Sequence, residues 1–311
     1  MSESEHRVLV VGAAGVDIKV QPRTETVELA GSNPGTIRWS WGGVARNMAE
    51  NLARLGAEVH LITAVGDDGW GHALLHSLRE LGINTDGCVV SVEQPTASYC
   101  ALYRADRELW VAFDDMAVMR EITSGHLRRL SRLVKEADMV CLDANLSSRS
   151  LKTLLSMTAQ YEVPVCVDPT AALLAHRLTP YLPMITVITP GRAEAEALLG
   201  ESLDDEDTIS VGARRLVQAG VDLAIITLGA DGIYYATSEE SGRVPAFPVE
   251  VVDAIGAGDA LTAAVAYGLM EGVSPGEAVR LGMAAAAQTV SYPDTVCPHL
   301  TLESLYELLV M

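Results

Sequence analysis

Apolar, β-branched runs recur along the chain at residues 8–11, 59–64, 139–142, 163–167, 185–188 and 223–227. Each is short and rich in Val, Ile and Leu, which predicts a buried strand. Longer segments with helical character separate them: 41–55 opens at Gly42-Gly43 and ends at Gly56, 69–80 stops before Gly82, and 207–219 stops before Gly220. A glycine just past the last turn is a common helix stop, because it accepts the left-handed conformation needed there. Buried strands alternating with helices predict an α/β fold, a doubly wound, mostly parallel sheet flanked by helices.

Two stretches, about 16–40 and 96–113, depart from this rhythm. Thr36-Ile37-Arg38-Trp39-Ser40-Trp41, residues 97–103 and residues 108–113 alternate with period two and have no helix between them. That pattern marks an antiparallel sheet with one open face. A small β-sheet lid made of two insertions and covering one end of the main sheet is expected. Its apolar side needs a cover, which a second copy of the chain would supply as a homodimer.

Composition narrows the function. A length of 311 residues accommodates one α/β domain with an appendage as well as two domains. A formal net charge of −19 argues against nucleic acid and anionic membranes, both of which select a basic surface. The first residues, Met1 to His6, lack a cationic segment, and the apolar run after them is broken by Gly12, Gly15 and Asp17. Neither a signal peptide nor a membrane span is expected. Five scattered cysteines without a CxxC pair suggest reduced thiols in the cytoplasm. The acidic run 201–207 reads as a solvated loop that favours the next helix start. His72 and His76 have helical spacing but lack the rest of a zinc-protease signature, and a plain helix face is expected.

The chain has three lysines, Lys19, Lys135 and Lys152, and none follows a glycine, so no Walker-A loop exists; no HRD catalytic loop is present either. An anion site must therefore be built differently. Asp253-Ala254-Ile255-Gly256-Ala257-Gly258-Asp259 reads as a glycine loop between a strand at 251–252 and a helix. Such a loop aims unpaired amides at an anion above the helix N-terminus, and phosphate is the natural occupant. Asp259, where the helix dipole favours an ionised carboxylate, is placed as a base for a hydroxyl, but an N-cap role accounts for the same residue equally well. A dinucleotide fingerprint is disfavoured, since Leu261 stands where its third glycine would be.

The segment 253–259 resembles the C-terminal signature of the ribokinase-like, PfkB-type carbohydrate kinases, and Gly42-Gly43-Val44-Ala45-Arg46-Asn47 resembles the family's other signature. The turn at Gly12 to Asp17, the run Thr227-Leu228-Gly229-Ala230-Asp231-Gly232 and Glu194 after Thr189-Pro190 follow in family order, so the resemblance covers essentially the whole chain, 1–311, as one kinase domain. It implies Asp259 as base with Gly256, Ala257 and Gly258 as anion hole, and Asp17, Gly42, Gly43 and Asn47, with Asn145 as a further candidate, on the sugar. It also implies Thr227, Gly229, Gly232, Gly256 and Gly258 along ATP, and Glu194 on Mg2+ through water. A potassium site around Asp253 and Ile255 is a further implication. Gly191 departs from the pattern, because the family usually has Asn there.

Within the family the chain is most similar to pseudouridine kinases, through Ser32-Asn33-Pro34-Gly35, Asp115-Met116, Asp143-Ala144-Asn145 and Val167-Asp168-Pro169. The resemblance implies ATP-dependent phosphorylation of pseudouridine at its 5′-hydroxyl. A uracil ring needs an apolar wall and a few polar partners, for which Trp39, Tyr99, Ser98, Asn33 and Asp115 are the candidates. Ribose, fructose and adenosine are alternative acceptors. A non-catalytic sugar or nucleoside sensor is the alternative of another class, motivated by Gly191.

Overall fold

The structure is a computed structural model and describes residues 6–106 and 108–310. The leader-free reading of residues 1–5 lies outside that range. The strands in chain order are β1 (Arg7–Val11), β2 (Gly15–Pro22), β3 (Gly35–Gly42), β4 (Glu58–Ile62), β5 (Ala64–Gly66), β6 (Val89–Ser91), β7 (Ala97–Tyr103), β8 (Leu109–Asp115), β9 (Met139–Asp143), β10 (Val165–Asp168), β11 (Val187–Ile188), β12 (Leu223–Thr227), β13 (Ile233–Ala236) and β14 (Ser241–Val244).

Eight of them form the main sheet in the order β14-β13-β12-β11-β10-β9-β1-β4. It is parallel from β4 to β12, and β13 and β14 add an antiparallel edge. Each predicted buried strand has a counterpart here, because a strand covered on both faces is apolar at every position. Along β1, Val8 and Val10 enter one core with the helices Val44–Leu55, Ala257–Met270 and Pro275–Val290, while Leu9 and Val11 enter the other. The edge hairpin, mixed in pattern at Tyr234, Tyr235 and Arg243, had no such signature.

A second sheet of four strands has the order β3-β2-β7-β8. Its two hairpins are antiparallel as expected, but β2 and β7 pair in parallel. Both strands run in the same sense from the body, so the seam between the insertions is parallel and the lid is a mixed sheet. The helix expected over 41–55 begins later, at Val44, because Trp41 and Gly42 finish β3. The strand expected at 251–252 is absent; that backbone is held by the end of the helix Pro275–Val290, the Val290 carbonyl accepting the N–H groups of Val252 at 2.7 Å and Asp253 at 3.1 Å. Asp205 caps the helix Glu206–Gln218 in a capping box with Thr208, as the acidic run implied. His72 and His76 are exposed on the helix Gly69–Glu80 beside Asp67 and Glu80. Among the described residues no helix is long and apolar enough to cross a membrane.

Candidate active site

The C-terminal ends of β1, β9 and β10 open into a cleft of about 1020 Å³ beneath the lid, lined by Asp17, Gly43, Asn47, Asn145, Gly256 and Asp259 among others. A second cleft of about 770 Å³ lies beside it, lined by Thr227, Gly229, Gly232, Phe247, Gly258 and Met283 among others. Gly256 and Asp259 face the first, and Ala257 and Gly258 face the second. The glycine loop is therefore the wall the two clefts share.

That wall is shaped by what glycine allows. Gly256 has φ 89° and precedes the helix Ala257–Met270; a Cβ there would collide with the Thr295 carbonyl. The early amides of this helix lack intrahelical acceptors and carry the positive end of its dipole. Asp259 is in its first turn, buried, and accepts a hydrogen bond from Asn47 Nδ2 at 2.7 Å. It caps nothing, which removes the N-cap reading. Nor does the dipole keep its carboxyl in the ordinary range. Burial pushes it up to about 7, the Asn47 hydrogen bond opposes this, and the charges of Asp143 and Asp17 add to it.

Asn47 is held from behind. Its Oδ1 accepts from Arg46 Nη1 at 2.8 Å and shares the single proton of Thr295 Oγ1, 3.1 Å away, with the Trp41 carbonyl at 2.8 Å. Arg46 is buried and paired with Glu50, which also receives Arg54. Burying ions costs several kcal/mol unless they are paired, so this network fixes the Asn47 amide rather than adding much stability. The helix carrying these residues starts at Gly43, whose φ of 95° and close approach to the Ala13 carbonyl exclude a side chain; a Cβ on Gly42 would strike the Asp17 carboxylate. Asp143, fully buried at the end of β9, joins the neighbouring turns by accepting the N–H groups of Ala13 at 2.7 Å, Asn145 at 2.9 Å and Ala45 at 3.1 Å.

Asp17 faces the cleft from β2, in register with Tyr99 of β7, which in turn pairs with Asp114 of β8. Burial pushes its carboxyl up to about 6, with Lys19 and Arg46 pulling it down and Asp253 pushing it further up. The same register corrects three expected wall residues. Ser98 neighbours Tyr99 and so faces the other side of the sheet, and Trp39 pairs with Ile18 and stacks on Trp41 and Trp70. Asn33 closes its own turn onto Glu28, accepting that residue's N–H at 2.7 Å. Tyr99 and Asp115 do line the cleft with Met116, joined by Leu174, Arg120 and Arg177, which nothing in the sequence singled out.

In the second cleft Thr227 ends β12, and its N–H donates to the Pro190 carbonyl at 2.9 Å, which brings residue 191 alongside. At Gly191 the Glu194 carboxylate turns back over the start of its own helix, its Oε2 occupying the space a Cβ at 191 would fill; being the end of a flexible side chain it could move aside, and nothing in the structure explains the glycine. Arg192 is directed to Glu196 at 3.5 Å and Asp204 at 3.7 Å. Asp168, at the end of β10, is pushed well up by burial and by the charges of Asp259, Asp143 and Glu194. Asp168, Asp259, Asp143 and Glu194 are thus near enough to feel one another's charge, beside a helix start that favours anions, although among the described residues no three acidic groups converge as a preformed metal site. A triphosphate with a divalent cation is a ligand that fits both features, because Mg2+ keeps several waters and takes one or two carboxylates plus phosphate oxygens.

Comparison with known proteins agrees with this geometry. Residues 5–301 match the pfkB family carbohydrate kinase model. The chain belongs to the pfkB family of carbohydrate kinases, whose members are phosphotransferases acting on hydroxyl groups with ATP and Mg2+. A pseudouridine kinase from Escherichia coli is 32% identical over 99% of this chain and 97% of its own length. Among solved structures, a carbohydrate kinase from Agrobacterium tumefaciens is 30% identical with a TM-score of 0.84, covering 98% of this chain and 97% of that one. The Arabidopsis thaliana ribokinase complexed with ribose and ATP, 22% identical over 99% of this chain and 100% of that one, shares the fold with a TM-score of 0.86. Membership of a family of phosphotransferases favours the enzyme over the sensor reading.

Proposed function

We propose that this sugar or nucleoside kinase phosphorylates the 5′-hydroxyl of pseudouridine, with Asp259 as the base. The observation that carries the mechanism is the shared wall, in which a buried carboxyl faces one cleft while the amides of its own helix start face the other. The acceptor lies in the larger cleft, its ribose hydroxyls on Asp17, Asn145 and the Gly42-Gly43 backbone and its base toward Tyr99, Met116 and Arg177. Asn47 orients Asp259 through its hydrogen bond and meets the substrate beside it. Asp259 takes the hydroxyl proton as the phosphoryl group passes over the amides of Gly256, Ala257 and Gly258, which hold the developing charge without a lysine. Thr227, Gly229 and Gly232 follow the nucleotide phosphates, and Phe247 and Met283 offer the adenine an apolar slot. Glu194, with Asp168 near it, would hold Mg2+ through water, and the bound ion supplies charge neutralisation on the phosphates. The potassium ion implied near Asp253 and Ile255 meets a competitor, because the Lys19 ammonium is already on the Asp253 carboxylate.

The substrate choice is supported by the Escherichia coli relative, and the cleft offers the mixture of apolar wall and polar ends that a uracil requires. We place the chain, as one kinase domain, in the cytoplasm. The lid's outer row, Trp39, Ile18, Cys100 and Phe113 in register, exposes 54% of Trp39 and 65% of Phe113, and a second copy covering this row makes a homodimer. Coupled ADP release from Mg-ATP, with pseudouridine, uridine, adenosine, ribose and fructose in parallel, tests the substrate. Turnover preferring pseudouridine supports the assignment, and faster turnover of any other acceptor removes it. Sedimentation velocity with Phe113→Asp tests the dimer, which should become a monomer.

A further inference from the structure

Lys19 lies two residues beyond Asp17 on β2, so both side chains leave the same face of the lid. Its ammonium is paired with Asp253 Oδ2, and the other oxygen of that carboxylate, Oδ1, accepts the N–H of Ile255 at 3.0 Å. One carboxylate thus ties a lid strand to the turn that leads into Gly256. The two side chains are only 15% and 20% exposed, so the pair is far less screened than an ordinary surface bridge. Among the described residues it is the only ion pair between a lid strand and the body of the protein. The turn has few other restraints. It lies outside any strand, held behind by the Val290 carbonyl.

We propose that Lys19 is a positioning residue for phosphoryl transfer. Reaching down from the lid, it completes the turn at 253–256, so that seating the lid on the acceptor through Asp17 and setting the angle of the Gly256–Gly258 amides become one event. The ammonium is also the tethered counter-ion of Asp253, and turnover therefore needs no free monovalent cation at that carboxylate. This inference rests on the reading of Gly256–Gly258 as the anion hole.

The test compares Lys19→Met, Lys19→Arg and wild type, with whichever of the five acceptors gives the fastest wild-type turnover. Steady-state kinetics are run in potassium and in choline at equal ionic strength, and ADP affinity is measured by calorimetry with and without that acceptor. For Lys19→Met, kcat should fall about ten- to a hundredfold, as expected for a small misplacement of catalytic groups. Its ADP affinity should no longer respond to the acceptor, and potassium should restore part of the lost rate. Lys19→Arg should stay within about fivefold of wild type in kcat and keep the response, because it retains the charge. Wild type should be indifferent to the choice of cation. A Lys19→Met variant with wild-type kcat and an intact acceptor effect on ADP would overturn the proposal, and so would a wild type that turns over only in potassium. An Asp259→Asn control keeps the two readings apart. If it remains active, the site reading itself fails; if it is inactive while Lys19→Met is unimpaired, only the role of Lys19 falls.

Discussion

The two clefts are lined by different means. The larger, the proposed acceptor cleft, presents the side chains of Asp17, Asn47, Asn145 and Asp259, of which Asn47 and Asp259 hold each other by a hydrogen bond, whereas the smaller, the proposed nucleotide cleft, presents glycine backbone and an apolar slot. The difference follows from charge. With neither Lys nor Arg among the residues lining the smaller cleft, a polyanion there would be held by amides, a helix dipole and a metal ion, while a neutral polyol can be gripped by carboxylates. The acceptor side should accordingly be sensitive to side-chain chemistry and the nucleotide side to backbone shape.

The strongest test of that contrast is Asp259→Asn. Loss of the base should lower kcat by about 10²–10⁴-fold while calorimetry still detects both acceptor and ADP; activity near wild type would refute the role of the carboxylate. Next is Gly256→Ala, which forces a side chain into a left-handed position against Thr295. We expect about 1–3 kcal/mol of destabilisation in urea unfolding together with weakened ADP binding, whereas an unchanged midpoint would mean that the wall yields freely.

A smaller effect, and one that sharpens the comparison, is the response to pH. Burial raises Asp17 to about 6 and Asp259 to about 7 in the free protein, and both must be ionised to work. kcat/KM should therefore climb from about pH 5, pass half its maximum near pH 7 and level off at about pH 8. Stability moves oppositely. From the ordinary value of 3.8 upward the unfolded chain releases these protons while the folded one retains them, so folding weakens as pH rises to about 7 and the loss then stays constant. Asp259→Asn should melt higher than wild type at pH 8, an advantage that vanishes near pH 4. The smallest change is expected from Phe247→Ala, which should raise KM for ATP by about tenfold or less and leave the acceptor KM alone. A larger change in the acceptor KM would show that the clefts are less separate than the wall suggests.

The sequence was most legible where function and local pattern coincide. The glycine loop before Asp259 and the Gly42-Gly43 helix start announce themselves, because a close backbone approach restricts those positions to glycine. The parallel strands of the main sheet were legible through their continuous apolar runs, but the antiparallel edge hairpin was not. What remained hidden were partners far apart in the chain, such as Thr295 with Trp41 and Asn47, Lys19 with Asp253, and Asp143 with Ala13 and Ala45. Periodicity reports which face of an element is buried but not what meets it. The misplaced wall residues, Ser98 and Trp39, fail for a related reason: period two assigns them to a common face pattern, and only the register with Asp17 tells which face is the cleft.

The hydrogen bonds of Thr295 have a consequence for how the protein is made. They fasten Trp41 and Asn47 to a residue 254 and 248 positions further along the chain, and Gly256 packs on that residue's backbone carbonyl. A ribosome must therefore pass residue 295 before this support for Asn47 exists. With Asp259 as the proposed base, a translation product that stops short of Thr295 is expected to spend no ATP.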